Sequence, residues 1–203
     1  DDSDGMAGNF ERIVNAGFDI GLAWVTVHGR TVSQKYVGPS RWDVLRDIVS
    51  RHPDRLILGS GDVWSAADIF RMIDYTGVAA VSVARGCIGN PWIFRQARDI
   101  LAGREPAPPT LAEQRAVLED HYALALAVNA GMKQADAFTG RTMRKFAIRF
   151  AQHHPQGQEV KRGFIEVSSQ DEWREVLDRW YEPSLASKND PGRLVGCVQK
   201  HTP

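Results

Sequence analysis

Leu56-Ile57-Leu58-Gly59-Ser60-Gly61-Asp62 runs an apolar, strand-like segment straight into a glycine turn. Ala79-Ala80-Val81-Ser82-Val83-Ala84-Arg85-Gly86 repeats the arrangement after a helical interval. Strands joined by crossovers of helix length pair in parallel, with a right-handed connection. Their loops gather at the carboxyl ends of the strands, where such folds bind ligands. Working outward, Trp24-Val25-Thr26-Val27-His28 reads as a further strand that turns at Gly29. A helix is expected over residues 7–16, with Phe10, Ile13 and Val14 on one face and Gly17 as its stop. A second is expected from a Ser40 cap through Trp42, Leu45, Ile48 and Val49 to Pro53. Ser65 and Asp68 have capping-box spacing for a third, carrying Ile69, Met72 and Ile73 and closed by Gly77. The order helix, strand, helix, strand, helix, strand predicts an α/β fold with a parallel sheet.

Asn90-Pro91 is expected to open the next helix, with Ile93, Phe94, Ala97 and Leu101 and a stop at Gly103. Arg104-Glu105-Pro106-Ala107-Pro108-Pro109 cannot be helix or central strand, so a domain boundary falls after residue 103. Beyond it the pattern is helical only. Thr110 with Glu113 caps one helix, residues 139–152 form another, and Ser169 with Glu172 caps a last one bearing Trp173, Val176, Leu177 and Trp180. The polar segment 183–203 is expected to be disordered. The domains expected are 1–103, 104–182 and a tail over 183–203.

The chain of 203 residues carries 25 basic and 25 acidic side chains, so any nucleic-acid surface must be local. Its two cysteines, Cys87 and Cys197, have no metal-ligand spacing, which reads as a reduced, cytoplasmic protein with neither metal site nor disulfide framework. No apolar run is long enough for a bilayer, so no membrane partner is expected, and no signal peptide is visible. The chain opens Asp1-Asp2-Ser3-Asp4, without a methionine or a strand, and reads as a piece of something longer.

Several side chains are candidates for chemistry. The two glycine turns, with the guanidinium of Arg85, suit a phosphate; ordinary strand–helix turns with Arg85 in an ion pair are the alternative. His28, at a strand end, suits a hydrogen bond to a ligand or an acid role, or is simply a loop histidine. Arg30 serves a ligand or neutralises a nearby carboxylate. Asp62 orients a sugar hydroxyl or caps the next helix. Cys87 reads as packing rather than a nucleophile. Arg141, Arg144, Lys145 and Arg149 fall on one helical stripe, opposite Met143, Phe146, Ala147 and Phe150. Residues 141–162 hold six basic side chains against Glu159 alone, and residues 163–182 hold six acids against Arg174 and Arg179. The stripe suits an RNA backbone, extended by Lys161-Arg162, or is a solvated face paired with the acidic helix.

Val25-Thr26-Val27-His28-Gly29-Arg30-Thr31, Gly59-Ser60-Gly61-Asp62, Ala84-Arg85-Gly86 and Gly89-Asn90-Pro91-Trp92-Ile93-Phe94, in this order, resemble the tRNA-dihydrouridine synthases over about residues 8 to 180. The resemblance implies the C-terminal part of a (β/α)8 TIM barrel, strands six to eight, followed by an all-helical tRNA-binding domain. It implies FMN at the barrel mouth, with His28 at the flavin or its ribityl chain and Ser60, Gly61, Asp62, Ala84 and Arg85 around ribityl and phosphate. Reduced flavin, replenished by NADPH, delivers hydride to a uracil swung out of the tRNA, and a cysteine supplies the proton. Arg141, Arg144, Lys145 and Arg149 are the implied RNA contacts.

Three departures from the family pattern stand out. Ser60 replaces the usual asparagine and Ala84 the usual glycine, so weakened binding is expected. The family's catalytic cysteine and flavin-contacting lysine belong upstream of residue 1, so no catalytic residue is assigned in this chain. Three strands cannot close a barrel, and the isolated chain is expected to be inactive. Two alternatives stay open. One is another FMN-dependent barrel oxidoreductase acting on a small metabolite; the other is a truncated, non-catalytic RNA-binding module.

Overall fold

The structure, a computed structural model, describes residues 4–182. The expected tail over 183–203 lies outside them. The chain divides into two compact units between Ala107 and Pro108, inside the proline segment and slightly beyond the expected boundary.

In the first unit, α1 (Asp4–Asp19) leads to β1 (Trp24–His28), α2 (Trp42–Arg51), β2 (Leu56–Ser60), α3 (Ala66–Thr76), β3 (Ala80–Ser82), the single turn α4 (Arg85–Ile88) and α5 (Ile93–Leu101). The strands form one parallel sheet in the order β1-β2-β3. Its register sets His28 beside Ser60 and Ser60 beside Ser82. The sheet is therefore in step at its carboxyl end.

One face of the sheet is packed. Val27 and Ile57 sit in a core with Val14, Phe18, Leu45, Ile48 and Met72. Leu45 and Ile48 are fully buried, each contributing about 2 kcal/mol of apolar transfer. Gly59 is a strand residue rather than part of the turn. A Cβ there would lie 2.7 Å from Met72 Sδ, so its absence lets α3 settle onto the sheet. The other face is bare: Trp24 and Leu56, neighbours in the register, are 56% and 54% exposed, and Thr26, His28, Ala80 and Ser82 are exposed as well. Parallel sheets are ordinarily covered on both faces.

The element expectations need several corrections. Helix α1 passes through Gly17 and ends at Asp19, with Gly21 just beyond it at a φ of +91° and the Leu22 N–H bonded to the Gly17 carbonyl. Ile13 points outward, and Val14 and Phe18 make the contact instead. Ser40 does not cap α2: Arg41 takes the N-cap position, without a side-chain bond. Helix α5 begins at Ile93, a turn after Asn90-Pro91. The Ser65–Asp68 capping box and the left-handed Gly77 close α3 at its two ends as expected.

The second unit, over its described residues, is helical. It comprises α6 (Leu111–Asn129), α7 (Ala135–Phe150), a 3-10 turn (Ala151–His153), α8 (Gly157–Glu166) and α9 (Gln170–Trp180). The expected box at Thr110–Glu113 is in place; Ser169 caps α9 by accepting the Glu172 N–H, while the Glu172 carboxylate accepts from the Ser168 N–H. Helix α8 has no counterpart in the sequence expectations. Its Val160 and Phe164 are fully buried, and Phe164 meets Trp173 at 4.9 Å between ring centroids. Gly140 lets α7 approach the Ser168–Ser169 backbone, 2.5 Å from where a Cβ would sit. No helix among the described residues is long and apolar enough to cross a membrane.

Candidate functional site

The carboxyl ends of β1, β2 and β3 converge on one cleft lined by His28, Ser60, Gly61, Asp62, Ala84 and Arg85, together with Val63, Trp64 and Ser82. All six residues expected near a cofactor thus come together. His28 Nδ1 and Ser60 Oγ lie 3.2 Å apart, a hydrogen bond that the strand register makes possible.

The loop after β2 reverses through two residues of positive φ, Gly61 at +128° and Asp62 at +51°. The second is uncommon for a residue with a side chain and costs on the order of 1 kcal/mol. Its carboxylate repays this by holding three loops. Asp62 Oδ2 accepts from Arg30 Nη2 at 2.6 Å and from the Ser40 N–H at 2.7 Å. Asp62 Oδ1 accepts from Arg85 Nη2 at 3.2 Å. The carboxylate caps no helix; Ser65 does that for α3. Arg30 thus takes the carboxylate-neutralising role.

The glycines serve protein–protein approach. A Cβ on Gly61 would strike Ser40 Oγ, and one on Gly86 would strike the Val63 carbonyl. Trp42 Nε1 donates to the Gly61 carbonyl at 2.9 Å, fixing the turn from α2. Ser40 Oγ, the expected cap, is buried with no hydrogen-bond partner among the described residues, wedged where the missing side chains of Gly29 and Gly61 leave room.

Arg85 is one-third exposed. Its guanidinium carbon lies 4.6 Å from the Tyr36 ring centroid and 4.8 Å from that of Trp64. Neither ring was legible as a site residue: both lie in loops without periodicity, and an aromatic just past a strand end was the only signal. Arg30 and Arg85 against the single carboxylate of Asp62 leave one net positive charge. The cleft holds about 30 Å³. That is room for roughly two waters or one tetrahedral anion, not for a whole cofactor. The thiol of Cys87 donates to the Ala84 carbonyl at 2.9 Å.

In the second unit the basic stripe divides. Arg141, Lys145 and Arg149 are exposed along α7. Arg144 is half-buried: its Nε donates to the Val167 carbonyl at 2.5 Å and its Nη2 to the Glu166 carbonyl at 3.4 Å, closing the carboxyl end of α8. Of the acids on and after α9, Asp178 and Glu182 pair with Arg115 of α6, and Glu172 is held low mainly by its bonds to Ser168, with Arg144 contributing. Among the described residues no group of three or more His, Cys, Asp or Glu is placed to hold a metal.

A parallel sheet whose successive loops present a histidine, a carboxylate and an arginine beside one small cationic cleft defines a protein of the α/β class. Residues 3–185 match the family described as dihydrouridine synthase, and the chain belongs to that family. A probable tRNA-dihydrouridine synthase of Mycobacterium leprae is 32% identical over 163 residues, 78% of this chain and 40% of that protein. The tRNA-dihydrouridine synthase B of Shewanella oneidensis is 36% identical over 114 residues, 56% of this chain and 35% of that protein. Its counterpart in Escherichia coli K12 is 28% identical over 180 residues, 86% of this chain and 53% of that protein. The chain therefore spans about half or less of the length of these relatives.

Proposed function

We propose that this chain is the carboxyl-terminal part of an FMN-dependent tRNA-dihydrouridine synthase, the enzyme that reduces uridine in tRNA to 5,6-dihydrouridine. It would contribute the last three strands of a (β/α)8 barrel and a helical domain that holds tRNA. The carrying observation is the convergence of His28, Ser60, Asp62 and Arg85 on one cleft at the strands' carboxyl ends. The bare sheet face supports the barrel reading, because it is the face that a closed barrel turns inward.

Within that reading, the cleft suits the phosphate end of the cofactor. Arg85 binds the phosphate, Ser60 hydrogen-bonds the ribityl chain, and His28, oriented by Ser60, faces the flavin side. Bound flavin, reduced by NADPH, would supply hydride to the uracil ring. Asp62 keeps Arg30 and Arg85 in place and need not touch the ligand. Arg141, Lys145 and Arg149 would meet tRNA phosphates, and the target base would be swung out of the stack to react. A reduced, cytoplasmic setting suits that substrate. With three strands among its described residues, too few to close a barrel, the chain alone should form no dihydrouridine.

The test joins the chain behind the upstream part of the Mycobacterium leprae relative, in cells lacking their own dihydrouridine synthases. Dihydrouridine appearing in tRNA, and lost with Arg85→Ala, is the expected result. A folded, flavin-loaded hybrid that reduces a free pyrimidine but leaves tRNA untouched would favour a small-metabolite oxidoreductase. A non-catalytic RNA-binding module is the second reading, favoured by the separate helical unit. Salt-dependent tRNA binding by the full chain, with no flavin bound and a hybrid that stays inactive, would establish it.

A further inference from the structure

Tyr36 and Trp64 are large aromatic side chains left 75% and 41% exposed. Neither is held by the core, and each ring stacks on Arg85. Tyr36 comes from the loop after β1, Trp64 from the loop after β2 and Arg85 from the end of β3, so three successive loops supply one side chain each.

The Tyr36 loop is preset rather than loose. Gln34 Nε2 donates to the Val37 carbonyl at 3.1 Å and the Pro39 carbonyl at 2.8 Å, and the Gln34 N–H donates to Thr31 Oγ1 at 3.1 Å. Lys35 and Gly38 take positive φ, which turns the chain on either side of Tyr36. Trp64 is placed by its own N–H, which donates to Asp68 Oδ2 at 2.9 Å. Both rings therefore meet Arg85 from anchored backbone.

A guanidinium is recognised in two directions. Its faces stack on aromatic rings, and its edge donates in-plane hydrogen bonds to oxyanions. Here the guanidinium carbon lies over both the Tyr36 and the Trp64 ring, and Asp62 is the one acceptor that the described residues offer to its N–H groups. A long, flexible side chain is thereby fixed with donors to spare, next to a cleft of phosphate size carrying one net positive charge.

We propose that Tyr36 and Trp64 are positioning residues that clamp Arg85 for a terminal phosphate, and so set the preference for a phosphorylated flavin over the same flavin without phosphate. The proposal rests on the FMN reading of this cleft. It adds to it the residues that confer phosphate selectivity and the reason two aromatic rings stand in solvent.

The experiment titrates the full chain with FMN and with riboflavin, following flavin fluorescence, and with inorganic phosphate, following the indole resonance of Trp64 assigned through Trp64→Phe. The wild-type chain should bind FMN about tenfold tighter than riboflavin, the scale of one charge-assisted contact. Tyr36→Leu and Trp64→Leu should each cut that ratio by about threefold or more, while riboflavin affinity stays within about twofold. Tyr36→Phe and Trp64→Phe keep a ring and should keep the ratio. Because neither ring belongs to the packed core, the leucine variants are expected to fold, and circular dichroism checks this. Parallel loss of both flavins in the leucine variants, or an unchanged ratio, overturns the clamp and leaves the FMN reading standing. Phosphate perturbing Trp64 in the wild type but not in Tyr36→Leu, with no flavin bound, upholds the clamp as a phosphate site, and a hybrid that also binds no flavin would remove the FMN reading. A wild-type chain that responds to none of the three ligands overturns the clamp, while the FMN reading, which gives this chain only part of the barrel, is decided by the hybrid.

Discussion

Arg30 Nη2 and Asp62 Oδ2 meet at 2.6 Å, and the Arg30 side chain is only 5% exposed. The pair ties the loop after β1 to the loop after β2, and the same carboxylate reaches Arg85. Removing one member of a buried pair strands the other, at a cost of about 3–5 kcal/mol when burial is complete. Asp62 is one-fifth exposed and keeps two other donors, so Arg30→Met should cost less, about 2 kcal/mol. Asp62→Asn should cost more, because it strands the buried guanidinium as well as Arg85. Urea midpoints of the two variants check the order; equal losses would mean that Arg30 carries no special burden.

Two glycines should respond to alanine with opposite signs. Gly86→Ala would drive a methyl into the Val63 carbonyl, which belongs to backbone and cannot rotate away. A loss of about 2 kcal/mol or more is expected, with displacement of the loop carrying Asp62. Gly8 lies inside α1 with nothing within 4 Å of a built Cβ, so Gly8→Ala should add about 0.5–1 kcal/mol through helix propensity alone. Thermal melts of both, read side by side, test whether close approach or backbone freedom explains each glycine.

His154 sits against the rings of Trp180 and Tyr181, with Nε2 2.7 Å from the Trp180 carbonyl and Nδ1 accepting the Gln156 N–H at 2.9 Å. This arrangement needs the neutral ring. Burial holds its pKa below the ordinary 6.5, the Trp180 carbonyl opposing in part. Burial lowers His121 as well, where it packs on Phe146. A histidine depressed in the folded state binds fewer protons than in the unfolded chain, so stability rises with pH across the gap. The contribution is complete above about pH 6.5 and fades as pH falls below it toward the folded values. Denaturation midpoints should drop between pH 7 and pH 5, and His154→Gln should flatten that drop. A wild-type midpoint constant over this range would contradict the burial argument.

What could be read from the sequence was what is locally encoded. The strand Trp24–His28 and the capping boxes at Ser65–Asp68 and Thr110–Glu113 each rest on neighbours a few residues apart, and they stand where expected. What escaped is tertiary. Ser40 has the chemistry of a cap, but close packing with the Gly29 and Gly61 turns buries its hydroxyl instead. Helix α8 opens at Gly157 beside the Ala151 carbonyl, an approach that no local pattern announces. The six expected cleft residues were legible because strand ends place them by topology. Tyr36 and Trp64 were not, since their role depends on Arg85 arriving from a third loop.

Arg144 and its neighbours on α7 carry the same charge but should behave differently. Arg144 spends its guanidinium on the carbonyls of Val167 and Glu166, whereas Arg141, Lys145 and Arg149 stand in solvent. Arg144→Ala should therefore lower stability by about 1 kcal/mol, the net worth of a half-exposed charged hydrogen bond, by loosening the end of α8. Replacing Arg141, Lys145 and Arg149 together by alanine should leave the melting temperature within a degree or two and act on tRNA binding alone. Every cation withdrawn from a phosphate takes about 0.7–0.9 off the slope of log affinity against log salt, so the triple variant should shallow that slope by about 2. Filter binding of tRNA over a salt series reads this directly. The reverse outcome, a steep slope kept by the triple variant and abolished by Arg144→Ala at unchanged stability, would move the RNA-binding surface off the exposed line and onto the α7–α8 junction.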